Sequence, residues 1–438
     1  MWKFFFFFFL LLKTIQSEIS IPFKAQNLPL TLNDEELITA LFFNAYFINI
    51  TIGSSNQEIP VKIKSTTLLS YIINSNATSY SGKKYDSEKS TTLKVLSKKN
   101  SYRDEEILYG TLVKDRFKFG NTIINELNFT LTADINNESN IQGAGAIGLG
   151  KNLNLVIKSH HPILFQLKNM NIINHHTFTL HFTKKNEGNL ILGNYLYDLK
   201  KPIYLKDDFY EINCNDKSDL DYSYAISSTF YLGEKILFCN DLIFASEIGL
   251  IIGSSEYYEE IEKQYFKEYI KNGKCTKKTF KLNGFYLLNY KQKTFDFFVC
   301  EKDIKIKTFP PLIIKNPELN FDIEFNYEDL WFEYRDKLYL MVVFPETTDT
   351  EDLLRILVGN IILKKYDITF DSDRKIVGFY DKNKKSGSSK FFYVLLIIVI
   401  LIGAFIYLIS FIKKNKGRII KKKTALELED DGFFTSIK

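Results

Sequence analysis

Few side chains in this 438-residue chain are arranged for covalent or acid–base chemistry. The four cysteines, Cys214, Cys239, Cys275 and Cys300, all fall in its second half. No CxxC pair and no cysteine–histidine spacing of a metal centre is present, so disulfides are expected and no metal or cofactor is. Of the three pairings that four cysteines allow, the most local joins Cys275 to Cys300 and Cys214 to Cys239. The five histidines are His160, His161, His175, His176 and His181. Neighbours on a strand face opposite ways, and HExxH is absent, so structural or surface roles are expected of them. Gly-x-Ser-x-Gly, a phosphate-binding loop and a dinucleotide fingerprint are all missing. Sequons at Asn49, Asn76, Asn128 and Asn137 would accept glycans on a lumenal side, although Asn49 lies inside a strand-like run.

Both ends of the chain address it to a membrane. Lys3 precedes an unbroken apolar run from Phe4 to Leu12, followed by Lys13 and the small Ser17, the order of a signal peptide over residues 1–17. Residues 391–412 carry no charge and at ~1.5 Å per residue are long enough to span a bilayer as one helix. Seven basic residues follow at 413–423, against four at 381–390, so the positive-inside rule puts 413–438 in the cytosol and the body outside it. The polar stretch 383–390 reads as a stalk. A type I single-pass protein of the secretory pathway or cell surface is expected.

Residues 18–390 carry 47 basic and 48 acidic side chains, a net of −1. Nucleic-acid binding needs a clustered basic face, so that partner is excluded. With 45% hydrophobic and 15% aromatic residues the body has ample core material. Period-two alternation in 46–52, 178–182 and 321–325 predicts strands, and 256–270 is the clearest helical stretch.

Four patches, in order, resemble the pepsin-like aspartic proteases (peptidase family A1). Ile52-Gly53-Ser54-Ser55-Asn56-Gln57 and the apolar strand after it are similar to that family's opening IGTPxQ and strand. Ala144-Gly145-Ala146-Ile147-Gly148-Leu149-Gly150 is similar to DGILGLG, and 178–182 with 188–193 resembles the hairpin that follows. The segment 357–379, from Leu357-Val358-Gly359-Asn360 to Val377-Gly378-Phe379, is similar without a gap to the closing ILGDxFLRxYYxVFD and xxVGFA pattern. The resemblance implies an all-β fold, a bilobal double β-barrel with a few short helices, to which the C-terminal membrane helix is added. Lobes are expected at 44–205 and 206–382, with 18–43 a short pro-segment-like stretch that persists as an extra strand.

In that family each lobe gives one Asp-Thr/Ser-Gly loop to a shared cleft, and the two carboxyls hold one proton between them. Here neither Asp-Thr-Gly nor Asp-Ser-Gly occurs. Counted from Gly53, the first catalytic position is Lys64, in Lys64-Ser65-Thr66-Thr67. The second is Ala245, in Ala245-Ser246-Glu247-Ile248-Gly249. An ammonium and a methyl group cannot share a proton or activate water, so the resemblance implies a pseudoprotease with no catalytic residues. Ser65 and Ser246 keep the loop hydroxyls that tie the lobes together, Glu247 is placed to form an ion pair with Lys64, and Tyr71 stands where the family often has a tryptophan. Tyr109 and Gly110 match the strand entering the flap, whose tip is cut short before Asp115. The expected protein is a monomer whose interlobe cleft binds an extended peptide or a protein partner without cutting it. The alternatives are an active aspartic endopeptidase and a structural or adhesive surface protein.

Overall fold

The computed structural model describes residues 18–25, 28, 31–78, 80–100, 107–135, 143–151, 162–184, 186–215, 223–282, 293–346, 355–381 and 397–412. The signal-like run 1–17, the stalk, the tail 413–438, Asn137, His160 and His161 lie outside these.

The first half of the body contributes β1 (Ile19–Ala25), α1 (Asp34–Phe42), β2 (Tyr46–Ile52), β3 (Gln57–Lys64), β4 (Tyr71–Ile73), β5 (Lys94–Asn100), β6 (Ile107–Phe119), β7 (Thr122–Ile135), β8 (Gly145–Gly148), β9 (Thr177–Lys184) and β10 (Glu187–Leu192). The alternation read in the sequence sets their faces. Ile19, Ile21 and Phe23 of β1 are buried while Ser20, Pro22 and Lys24 are exposed, and in β2 the buried Tyr46, Ile48, Ile50 and Ile52 leave Asn49 pointing outward. Asn76 is exposed in a turn and Asn128 is half-buried on β7.

The second half contributes β11 (Phe209–Asn213), β12 (Tyr224–Ser227), β13 (Thr229–Leu232), β14 (Lys235–Leu237), β15 (Asp241–Phe244), β16 (Ile251–Ile252), β17 (Cys275–Leu282), β18 (Lys293–Glu301), β19 (Leu312–Lys315) and β20 (Ile323–Phe325). It ends with β21 (Trp331–Tyr334), β22 (Lys337–Leu340), β23 (Val342–Pro345), β24 (Arg355–Val358), β25 (Ile368–Asp371) and β26 (Ile376–Tyr380). Short helices stand at Ile163–Asn169, Ser255–Ile261, Lys267–Lys271, Tyr327–Leu330 and Asn360–Lys365. The helical stretch expected at 256–270 is thus present, whereas the 321–325 alternation shortens to β20.

A thirteen-stranded sheet runs in the order β11-β26-β25-β9-β10-β1-β2-β3-β8-β4-β7-β6-β5, so the last strands of the chain are woven onto the first. Phe178 of β9 stacks on Phe370 of β25 with ring centroids 4.7 Å apart at this junction. A nine-stranded sheet carries β12, β15, β24, β16, β23, β18, β22 and β21, with β17 on β18, and a four-stranded sheet runs β14-β13-β19-β20. One pairing scheme appears in both halves. β3 lies parallel to β8, which is antiparallel to β4, just as β15 lies parallel to β24, which is antiparallel to β16. The fold is mostly β, with a barrel and few short helices.

The stretch 18–43 holds more than the expected strand. β1 pairs on both sides, with β10 and β2, and α1 follows it. α1 begins with a capping box, in which Asn33 Oδ1 accepts from the Glu36 N–H and the Glu36 carboxylate accepts from the Asn33 N–H, both at 2.9 Å. Asp34, Glu35 and Glu36 complement the positive end of its dipole.

Residues 397–412 form an exposed helix, described by itself as part of the unit 383–438. No helix among the described residues is long and apolar enough to cross a membrane; the first six residues of the expected span, 391–396, lie outside them.

One disulfide is present, Cys275–Cys300, across directly paired positions of β17 and β18. The second expected disulfide is corrected: Cys214 and Cys239 are not joined. Nearness in sequence misleads here, because Cys214 follows β11 at the edge of the large sheet while Cys239 follows β14 in the four-stranded one. The buried Cys239 thiol donates to Ser254 Oγ at 3.0 Å, and burial pushes its pKa up to about 11. Alkylation of the denatured, unreduced chain is expected to label Cys214 and Cys239 and spare Cys275 and Cys300, as peptide mass mapping would show. A protected Cys239 would reinstate the second bond.

Candidate functional site

Two strands of the repeated scheme end in loops that meet. β3 ends at Lys64 and leads into Ser65, Thr66 and Thr67; β15 ends at Phe244 and leads into Ala245, Ser246 and Glu247. Each loop is fixed from behind by the strand parallel to its own. Leu149 N–H donates to Lys64 O at 2.8 Å, and Ala245 N–H donates to Val358 O at 3.0 Å. The facing parts of the loops are inside the protein: Lys64, Ser65, Ala245, Ser246 and Glu247 are each at most 5% exposed, while Thr66 and Thr67 are half-buried.

The two hydroxyls bridge the loops in both directions. Ser65 Oγ accepts from the Ser246 N–H at 2.9 Å and donates to Phe244 O at 3.3 Å. Ser246 Oγ reaches back to donate to Ile63 O at 3.3 Å. The bridge is not symmetric, because the Ser65 N–H donates to Glu247 Oε2 at 3.2 Å. Glu247 thus lies beside the bridge. Burial raises its pKa above the ordinary glutamate range, with the charges of Lys64 and Lys62 and the N–H groups of Glu247 and Ser65 opposing that shift. Glu247 is the only acidic residue in either loop, and its Oε1 has no hydrogen-bond partner among the described residues.

Lys62 is 2% exposed, like Lys64 two positions on. Both faces of β3 are covered at this end, so the ammonium groups lie inside. Ala245 sits instead in an apolar cluster with Ile243, Ile248 and Leu357 of its own half and with Leu37, Ile38, Leu41 and Phe42 of α1.

A comparison with protein families matches residues 45–382 to the eukaryotic aspartyl protease family. The chain belongs to that family. No curated protein matches it. In this aspartyl protease family member the first of the paired loops is the one singled out by spacing from Gly53 and the second the one singled out by its match to the family's second loop. The structure brings Ser65, Ser246 and Glu247 into hydrogen-bond contact, with Lys64 and Ala245 beside them. Tyr71 is buried on β4, opposite Ala146 of β8. Tyr109 is 59% exposed on β6, and a Cβ on Gly110 would lie 2.1 Å from Thr130 Cγ2 of β7. Residues 101–106, before that strand, lie outside the described residues.

Among the described histidines, two pair with carboxylates outside the two loops. His176 Nδ1 is 2.6 Å from Asp373 Oδ1, and His181 Nδ1 is 3.1 Å from Asp367 Oδ2, at the two ends of the β9–β25 junction. The α1 contacts on the Ala245 loop escaped sequence reasoning. Their signal was available in the Asn33–Glu36 box and the apolar spacing of Leu37, Ile38, Leu41 and Phe42.

Ser65→Ala would leave the buried Ser246 N–H unpaired, and thermal unfolding is expected to show a loss of about 1–3 kcal/mol. Glu247 has its pKa raised on folding, so its favourable contribution is complete below its unfolded pKa and disappears as pH rises through the folded one. Glu247→Gln should therefore melt like the parent near the acid limit and above it at neutral pH. A parent no less stable than the variant at neutral pH would contradict this.

Proposed function

We propose that this protein is a non-catalytic aspartyl protease family member, anchored in a membrane by one helix at 391–412, its body lumenal or extracellular, and that it binds an extended peptide or a protein partner at the seam between its halves. The observation that carries this reading is the pair Lys64 and Ala245 at the positions where family chemistry needs two carboxyls. General acid–base hydrolysis there requires one group to take a proton from water and a second to give one to the substrate oxygen. A charged ammonium takes none, a methyl group does neither, and the lone Glu247 is turned into the Ser65 N–H. The serine bridge supports a retained scaffold, because it holds the halves in register without any acid. Recognition through main-chain hydrogen bonds does not depend on the acids either.

Three further features support the placement: the apolar run from Phe4 to Leu12, the uncharged 391–412 followed by clustered lysines, and a disulfide of the kind that persists in oxidising compartments. An active aspartic endopeptidase would need a carboxyl pair that neither loop carries. A purely structural or adhesive surface protein differs from the proposal only in having no ligand at the seam.

Full-length protein incubated with a denatured protein substrate at acid pH is expected to give no cleavage that pepstatin suppresses. Pepstatin-sensitive fragments on a gel would overturn the non-catalytic reading. Microsomes carrying the chain should retain it through alkaline carbonate washing; release into the supernatant would refute the anchor.

A further inference from the structure

α1 is held as a ligand would be. Along one face Leu37, Ile38, Leu41 and Phe42 are 0–2% exposed, packed against the nine-stranded sheet and the Ala245 loop. Phe42 lies 5.6 Å from the ring of Phe295 and 6.1 Å from that of Phe280. At the start of the helix, the Asp34 carboxylate accepts from Tyr339 Oη at 2.6 Å, from Lys337 Nζ at 3.1 Å and from Lys278 Nζ. Burial alone would raise the Asp34 pKa, but these three partners outweigh it and bring it down to about 2. At the far end Phe42 O accepts from the Gly249 N–H at 2.8 Å, and Asn44 O accepts from Asn360 Nδ2 at 2.7 Å.

Gly249 is needed for this seat. A Cβ there would lie 2.1 Å from Leu41 O. The methyl group of Ala245 fits it as well, since a carboxylate at that position would be desolvated against leucine, isoleucine and phenylalanine. The groove therefore reads a helix at both ends and along one face: an acid in its first turn, apolar side chains three, four, seven and eight positions later, and its last carbonyl.

On the opposite face of α1 Glu35 and Glu36 are exposed while Thr39 and Ala40 are half-buried, and a cavity of about 600 Å³ opens where the helix begins, between Leu32, Asp34 and Tyr334. β1 is paired on both sides and stays in its sheet without help from α1. A nine-residue helix is unstable alone in water, so α1 holds its shape only while seated. Resting on the partner-binding reading above, we propose that this groove is a helix-binding site occupied by the chain's own α1, and that a partner enters by replacing α1 with an amphipathic helix bearing an acidic residue in its first turn.

The test uses the full chain, a Leu37→Asp/Leu41→Asp variant, and a fluorescein-labelled peptide of residues 32–44. Fluorescence anisotropy is expected to show at least tenfold tighter binding to the variant than to the parent, and a peptide carrying Asp34→Asn should bind the variant at least fivefold more weakly. A folded variant that binds the peptide no better than the parent overturns the proposal. Should the variant not fold, hydrogen exchange on the parent decides: amides 37–42 should exchange at least tenfold faster than those of β15. Exchange of α1 in step with β15 would make it permanent core and overturn the exchange. Capture of an extended peptide by the parent while α1 stays protected overturns the exchange alone and leaves partner binding standing.

Discussion

Everything at the centre of this molecule depends on two hydroxyl groups. Ser65 and Ser246 lie on loops from opposite halves of the chain, and each uses its Oγ to satisfy backbone groups of the other loop. Without the bridge the buried Ser246 N–H would lose its partner, at a cost of about 1–3 kcal/mol. The bridge asks only for a small side chain with one donor and two lone pairs. It asks nothing of the residues on either side, and those are where a lysine, an alanine and a glutamate stand. The side chains next to the bridge can therefore change without breaking its hydrogen bonds.

Glu247 shows what such a change entails. Placed after Ser246, it receives the Ser65 N–H, and no other acid shares the two loops with it. Burial raises its carboxyl pKa, and the two nearby lysines oppose that shift without cancelling it. Ala245 is the simpler neighbour. It completes an apolar surface that continues through Ile243 and Leu357 onto α1.

Much of this was legible from residues alone. The strand at Tyr46–Ile52 and the closing segment through β25 and β26 carry their patterns locally, so alternation and spacing placed them directly. Spacing from Gly53 pointed to Ser65, and the match of 242–253 to the family's second loop pointed to Ser246. Other features were decided by tertiary packing. The alternation at 321–325 loses its first residues because Phe321 stacks on Tyr366, 5.9 Å away, rather than joining a strand. Burial of Lys62 and Lys64 could not be read from a strand pattern that assigns charged residues to solvent. α1 is short enough that its stability comes from the groove, which no local propensity reports. The cysteines were paired by proximity along the chain, whereas sheet membership keeps Cys214 and Cys239 apart.

The position of β1 has a consequence for how the protein is made. β1 leaves the ribosome first yet occupies the middle of the largest sheet, with Ile19 set against Leu192. At roughly 5–20 residues per second, on the order of ten seconds or more separates the synthesis of the two strands. During that interval three large apolar side chains wait without their neighbour, and at the far margin Phe209 waits about as long for Tyr380. Pairings so distant along the chain are slow to close. The sheet is thus knitted across its full width only after β26 has been made, and β1 is the strand most in need of shelter until β10 arrives.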